Sequence, residues 1–513
     1  MKKIFEKIKY PYFIWGIIII AAFIFFLAGI SHESLWCDEA FSAMMVKNDF
    51  FNILKNTVKD IHPPLYYLIL KTFTLAFGHS EWALRLLSVL GATGMVALGA
   101  GPVRKLFGDK TAYIYAAATI FTPIIIIMAH EARMYSLAMF TVTVSSIYGL
   151  LILKESKISY WIIFGISVLA SAYLHYYSLI AVFLINFFML IWIIIKKREL
   201  IISFIIMAIT VVLAYIPWLF FFIGQIKKVD NDFWIRHVQP TTFYTSLLQY
   251  FTYKNFFPKG IVTDTIGPII LLIVLISIIT SIVYMIIKKE KQKLGMMLFL
   301  FSSCIGTLLV ARLISLFLTP IVYHRYMTVC TGLLILAFCI AVGSFKYRAI
   351  NVSIISLFVL LNLTAVININ IQRFNGPFYD IENKFGKKIK SGDLIITSDC
   401  YCVSPALYYF SQADHYFYVN RYEKNWEFTF DALRTNFIKL ENTNEIHIKY
   451  KSVWVIKNTI GLSENEKYIF TDISKWKEVD RGYFTYPCSE IGFTVSKYEY
   501  IGNNSNRNHY KPN

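Results

Sequence analysis

Apolar runs of about twenty residues alternate with short polar segments from the amino terminus to about residue 369. As a helix rising about 1.5 Å per residue, each run can cross a hydrocarbon core about 30 Å thick. The pattern predicts eleven spans, near 11–31, 81–101, 111–129, 132–153, 159–175, 177–195, 201–223, 266–287, 294–317, 326–345 and 349–369. The first run, Pro11 to Ile30, is longer than a signal-peptide core and has no convincing small-residue cleavage site, so it reads as a retained helix. One stretch breaks the series. Leu65 to Phe77 is only 13 residues and carries Lys71, which gives a helix of about 20 Å. It is predicted to lie in, or dip into, the outer interface. A short true span is the competing reading.

After Asn370 the pattern changes to that of a soluble domain. GDLIITSD, HYFYVN, SVWVIKN and FTVSKYEYI read as strands, with helical stretches such as Phe430–Leu440 between them. The tail carries no GxxxxGK[ST] or GxGxxG phosphate loop. The expected fold is a polytopic α-helical membrane protein of about eleven transmembrane helices, with a large first external loop bearing interfacial helices. A C-terminal soluble α/β domain follows. The expected boundaries are 1–369 for the membrane domain and 370–513 for an extracytoplasmic domain.

Composition agrees with this reading. Hydrophobic residues are 57% of the chain and charged residues 16%, against about 25% charged in soluble domains. That excludes a soluble enzyme, a secreted disulfide scaffold and a disordered chain. The net charge of +18 does not point to nucleic acid. Lys and Arg gather on six short segments: Lys2–Lys9, Arg104–Lys110, Lys154–Lys157, Lys196–Arg198, Lys288–Lys293 and Lys346–Arg348. The positive-inside rule puts all six in the cytoplasm. The amino terminus is then cytoplasmic in a multi-pass plasma-membrane protein. Residues 32–80, 224–265 and the tail are external. Of the seven cysteines, Cys304, Cys330 and Cys339 lie in apolar runs; Cys400 or Cys402 could pair with Cys488.

Polar residues gather on the expected external side. SHESLWCDEAFSAMM places Asp38 and Glu39 after Trp36. Trp36 suits an interfacial ring beside a sugar or headgroup. The competing reading makes Asp38 the cap of a short amphipathic helix. DIHPPLYY puts His62 before a Pro-Pro helix start, where it can contact an anion; an ordinary capped turn is the alternative. HEARMYS brings Glu131, Arg133 and Tyr135 to an outer helix end, either as a cavity lining or as a Glu131–Arg133 brace. LHYYS and PIVYHRYM repeat the pattern, the second with His324 and Arg325. All ten histidines fall outside on this topology. A divalent metal is conceivable there, but no ligand spacing fixes one. The expected midplanes are apolar, unlike those of most transporters. An outer carboxylate with several cations suits transfer from a lipid-linked phosphate: the base takes a proton and the cations steady the leaving group.

WCDEAFS followed by DIHPPLYY resembles the first luminal loop of the GT-C glycosyltransferases. The match is to the branch of protein O-mannosyltransferases and the lipid A aminoarabinose transferase. GHSEWALRLLSVL with KLFG after it, then HEARMYSL, also resembles its bacterial members. The likeness covers roughly residues 10–200; from 200 to 345 it is topology plus HRYM. The resemblance implies a polyprenyl-phosphate sugar donor, action at the external face and inversion at the anomeric carbon. It implies Asp38 as general base, His62 near the donor phosphate, and Arg133 as the arginine of the third motif. Protein mannosyltransferases carry an Asp after that arginine, whereas here the carboxylate, Glu131, precedes it.

The expected function is transfer of a monosaccharide from a polyprenyl-phosphate donor to an external glycan, lipid or protein acceptor in the bilayer. Asp38 is the expected catalytic residue. Glu39, His62, Glu131, Arg133, Tyr135, His324 and Arg325 are expected to bind substrate. The alternatives are a non-catalytic translocase of lipid-linked sugars and a receptor-like protein whose tail binds partners.

Overall fold

The computed structural model describes residues 2–232, 235, 242–252, 262–373, 376–397, 400–418, 433, 438–440, 446–459, 470, 472–485 and 492–502. The chain divides into two compact units. One comprises Met1–Ile30 and Asp49–Gln372, the other Ser31–Asn48 and Arg373–Asn513. Residues 31–48 fold with the tail rather than with the spans on either side.

The helices, in chain order, begin with α1 (Lys2–Leu27), α2 (Cys37–Met45), α3 (Phe50–Lys59), α4 (Leu65–Phe77), α5 (Glu81–Leu98) and α6 (Arg104–Phe121). Then come α7 (Pro123–Ala129), α8 (Tyr135–Lys154), α9 (Ile158–Leu174), α10 (Tyr176–Lys196), α11 (Ile201–Asp232) and α12 (Thr242–Leu248). The last are α13 (Gly267–Ile287), α14 (Lys291–Phe317), α15 (Thr331–Ser344), α16 (Arg348–Arg373), α17 (Pro377–Phe385) and α18 (Cys400–Tyr409).

Among the described residues, eight helical stretches are long and apolar enough to cross a membrane. One of them, Glu81–Phe121, holds two of the expected spans. It bends at Gly108, whose φ of 83° is open to glycine at no steric cost. Tyr12–Leu27 and Ile158–Leu174 are shorter apolar helices at two further expected spans. Helix α4 has the bounds predicted for the interfacial helix. Prolines set the breaks. Pro123 opens α7 and holds Thr122 extended, with ψ of 118°, so α6 stops there. The expected external loop 224–265 is shortened by α11, which runs on to Asp232; residues 233–234, 236–241 and 253–261 lie outside the described residues.

Burial sorts these helices. The span His324–Ser344 is wholly buried, whereas that within Arg198–Lys227 is only 22% buried. Helix α15 is therefore central and α11 peripheral. The centre is close-packed: a Cβ on Gly332 would lie 1.9 Å from Thr143 Oγ1, the small-residue contact that lets spans approach. Three basic segments meet. Lys105 Nζ lies 3.0 Å from Glu155, Lys154 Nζ donates to the Lys105 carbonyl at 2.9 Å, and Lys110 Nζ donates to the Phe345 carbonyl at 2.9 Å.

The second unit is an α/β fold on a six-stranded sheet, ordered β3-β2-β1-β4-β6-β5. The strands are β1 (Leu394–Thr397), β2 (Asp414–Tyr418), β3 (Ile438–Leu440), β4 (Ser452–Asn458), β5 (Trp476–Thr485) and β6 (Gly492–Tyr500). The first four are parallel, with Leu394 opposite Asp414 and Val453. Strands β6 and β5 add antiparallel. Side chains alternate between two buried faces. Ile395, Trp454 and Ile456 join Phe378, Phe385 and Phe410, while Leu394, Ile396, Val453 and Val455 join Tyr450 and Phe470. The four predicted strands are β1, β2, β4 and β6. The predicted helix Phe430–Leu440 lies mostly outside the described residues, and its last three residues pair as β3. Charges in WKEVDRGYFT hid β5, six of whose ten residues are exposed. Cys304, Cys330 and Cys339 are free thiols; the Cys400 side chain and Cys488 lie outside the described residues.

Candidate active site

In the membrane unit the polar residues of four connections come together. Helix α3 opens on Asp49, whose carboxylate accepts the Asn52 amide at 2.9 Å, and it closes on Asp60. Asp60 accepts the Ile61 amide at 2.7 Å and the Tyr67 hydroxyl at 3.3 Å. His62 Nδ1 lies 3.4 Å from the same carboxylate. Tyr67 in turn accepts from Arg133 Nη1 at 3.2 Å. Burial works to raise the pKa of Asp60, but His62, the Ile61 amide and Arg133 outweigh it and hold the carboxyl below its ordinary value.

The α7–α8 junction supplies Glu131 and Arg133, 1% and 3% exposed. Its backbone is clamped: Ser88 Oγ donates to the Glu131 carbonyl at 2.6 Å, and Ser136 Oγ donates to the Ser88 carbonyl at 2.6 Å. His130 Nε2 lies 2.8 Å from the Phe26 carbonyl. Arg325, 5% exposed, enters from the 3₁₀ turn His324–Cys330. Its guanidinium lies 3.9 Å from the Glu131 carboxylate and 5.2 Å from the Tyr135 ring centre. The His175 ring closes the cluster, 5.2 Å from Tyr326, 5.5 Å from Tyr135 and 6.0 Å from His62. His175 is fixed by accepting the Tyr177 amide at 3.1 Å.

Buried charges lose several kcal/mol of hydration each unless paired. Here two guanidiniums stand among two carboxylates and a ring of phenols. Paired guanidiniums with oriented N–H groups match an oxyanion such as a phosphate. Of the residues predicted from sequence, His62, Glu131, Arg133, Tyr135 and Arg325 are brought together. His324 is adjacent, but its Nδ1 lies 3.3 Å from Thr245 Oγ1 and its ring lies beside Tyr323.

Asp38 and Glu39 belong to the other unit. Helix α2 starts at Cys37, with Trp36 at the cap position and no side-chain cap. Asp38 therefore lies within the first turn, where the helix dipole favours an anion, and is not the cap of the competing reading. Glu39 is 1% exposed. Sequence reasoning assigned no role to Asp60, Tyr67 or His175, although DIHPPLYY and LHYYS contain them. Among the described residues no three His, Cys, Asp or Glu gather as metal ligands.

Residues 61–221 match the family model of dolichyl-phosphate-mannose-protein mannosyltransferases. Over that segment the chain is similar to this family. That match takes in His62, Tyr67, Glu131, Arg133, Tyr135 and His175. The likeness in fold extends further. The crystal structure of ArnT from Cupriavidus metallidurans in the apo state superposes with a TM-score of 0.64 at 11% identity, covering 94% of this chain and 97% of that one. The same protein bound to undecaprenyl phosphate gives a TM-score of 0.60 at 10% identity, covering 94% and 98%. Comparison with curated protein sequences gives no match.

Proposed function

We propose that this GT-C-type membrane glycosyltransferase moves a monosaccharide from a polyprenyl-phosphate donor to an acceptor hydroxyl, with inversion. The observation that carries the reading is the pair of buried arginines, Arg133 and Arg325, each held by a polar partner in an otherwise apolar bundle. Charges kept at that cost in a membrane protein are functional by default. A polyprenyl donor keeps its chain in lipid and presents an anionic phosphate at headgroup level. The likeness to a protein crystallised with undecaprenyl phosphate supports that donor class.

In the proposed reaction Asp38 takes the proton of the acceptor hydroxyl. The acceptor oxygen attacks the anomeric carbon as the bond from that carbon to the phosphate oxygen breaks. Arg133 and Arg325, with His62, receive the charge on the departing polyprenyl phosphate. Phosphate is a stable anion, so no general acid is required. Tyr135 and His324 line the donor side, and Glu131 holds Arg325 in orientation. Glu39 supports α2. The reaction takes place on the extracytoplasmic side of the plasma membrane, with the amino terminus in the cytoplasm. The meeting of the basic segments supports that orientation.

Purified protein incubated with radiolabelled polyprenyl-phosphate sugars and a panel of glycan, lipid and peptide acceptors tests the proposal. The expected product carries the label through a linkage of opposite anomeric configuration to the donor. Absence of transfer with every donor, while donor binding persists, would favour a translocase.

A further inference from the structure

We propose that the C-terminal α/β unit is a catalytic component, because it is the scaffold that folds and positions the acidic segment 31–48. The proposal rests on the reading of Asp38 as base. Residues 31–48 leave the membrane unit after Ile30, return to it at Asp49, and pack in between as part of the tail. Helix α2 lies against α18. The Leu35 amide donates to the Tyr409 hydroxyl at 2.8 Å, across 374 residues of sequence. The Tyr379 hydroxyl donates to the Ser31 carbonyl at 3.1 Å. Gly376 meets Ser34 so closely that a Cβ there would lie 2.1 Å from its Oγ and 2.6 Å from its backbone nitrogen.

These contacts run along residues 31–35, just before Asp38. Tyr409 is itself fixed by the tail core: its ring stacks on Phe378 at 5.8 Å and meets Tyr379 edge-on at 6.0 Å. Phe378 packs with Ile381, Phe385 and Trp454 against the sheet. A path of direct contacts thus runs from the sheet through Phe378 and Tyr409 to Leu35, three residues before Asp38. Tyr409, Tyr379 and Gly376 are positioning residues, acting through the backbone of 31–36. The tail needs no catalytic motif of its own for this task.

Hydrogen exchange on the full-length protein in detergent, over a urea series, tests the scaffold directly. Segments that unfold together exchange together. Peptides from 31–48 are expected to lose protection with 400–409, and separately from 50–77. Exchange of 31–48 in step with 50–77 instead would overturn the proposal, whatever Asp38 does. Tyr409→Phe keeps the ring and removes the acceptor. It is expected to speed exchange at Leu35 and to lower kcat at least about tenfold, as a small misplacement of a reacting group does, with donor KM unchanged. In an Asp38→Asn background the same substitution should change kcat less than about twofold, because both act on one step. Full additivity of the two losses, or unchanged kcat in both Tyr409→Phe and Tyr379→Phe, would show that the tail does not position the acidic segment. High turnover in Asp38→Asn would remove the base assignment but leave the exchange result standing.

Discussion

Arg325 places its guanidinium 3.9 Å from the carboxylate of Glu131, joining the turn before α15 to the turn before α8. Both side chains are buried. Arg325→Lys keeps the charge and loses the planar fork, which is not a neutral change at an oxyanion site. It is expected to lower kcat/KM for the donor at least about tenfold with melting temperature little changed. Glu131→Gln should do the same through loosened orientation of Arg325, and should also destabilise the protein, by about 3 kcal/mol, because it removes the carboxylate charge 3.9 Å from a buried cation. Donor saturation curves and thermal melts in detergent separate the two effects. Wild-type kinetics in Arg325→Lys would exclude Arg325 from the phosphate site.

Arg133 is tied to a different carboxylate, through Tyr67 to Asp60. Arg133→Ala is expected to raise donor KM or lower kcat while the protein still folds. Tyr67→Phe keeps the ring and cuts the link, and should give a smaller loss of the same kind. Initial rates over a range of donor concentration are the measurement. A variant lacking the arginine yet turning over normally would leave phosphate binding to Arg325 alone.

Asp60 gives a dependence on pH. Its carboxyl is held below the ordinary value in the folded protein. The stability it contributes is therefore complete above the unfolded carboxylate range, near pH 4, and is lost as pH falls through the folded value. Asp60→Asn should be less stable than wild type at pH 7, by about 2 kcal/mol, and the gap should close on acidification below about pH 4. Melting temperatures of both proteins from pH 7 to pH 3 check this. A gap that widened in acid would contradict the assigned pairing.

Much of this was legible in the sequence. The long apolar helices follow from length and hydropathy, and Leu65–Phe77 stood apart because its 13 residues are short for a span. The strands β1, β4 and β6 follow from β-branched and aromatic runs. What was hidden was tertiary. Nothing in WCDEAFS indicates that it folds against a helix more than 350 residues away, with the Leu35 amide just before it donating to the hydroxyl of a tyrosine in that helix. His175 looked like one more aromatic helix end. Its place among Tyr135, Tyr326 and His62 depends on three connections converging, which no local pattern encodes. Likewise, the spacing of Glu131 and Arg133 left a cavity lining and a local brace open, and gave no sign of the ion pair that Arg325 makes to Glu131.

Topology is testable at Ser411, an exposed residue of the tail unit just beyond α18. With the native cysteines replaced and Ser411→Cys introduced, a membrane-impermeant maleimide should label intact cells. The warrant is the set of basic segments that the positive-inside rule assigns to the cytoplasm. Labelling only after permeabilisation would invert the orientation and move the proposed reaction to the cytoplasmic face.

Asp38 decides the mechanism. An acceptor hydroxyl ionises far above neutral pH and attacks poorly until a positioned carboxylate takes its proton. In an inverting transfer one such base suffices, since the phosphate departs as an anion and calls for cations. Asp38 lies in the first turn of α2 and is half-buried. Glu39 beside it is buried and points elsewhere on the turn. Asp38→Asn keeps size and hydrogen bonding but cannot accept the proton. Normal expression, normal donor binding and turnover reduced at least about 100-fold are expected, the usual scale for a lost base. Glu39→Gln should cost less in kcat and more in stability. Turnover of Asp38→Asn within a few-fold of wild type would make Asp38 structural. The search for the base would then pass to Glu131 and Asp60, the buried carboxylates of the arginine cluster.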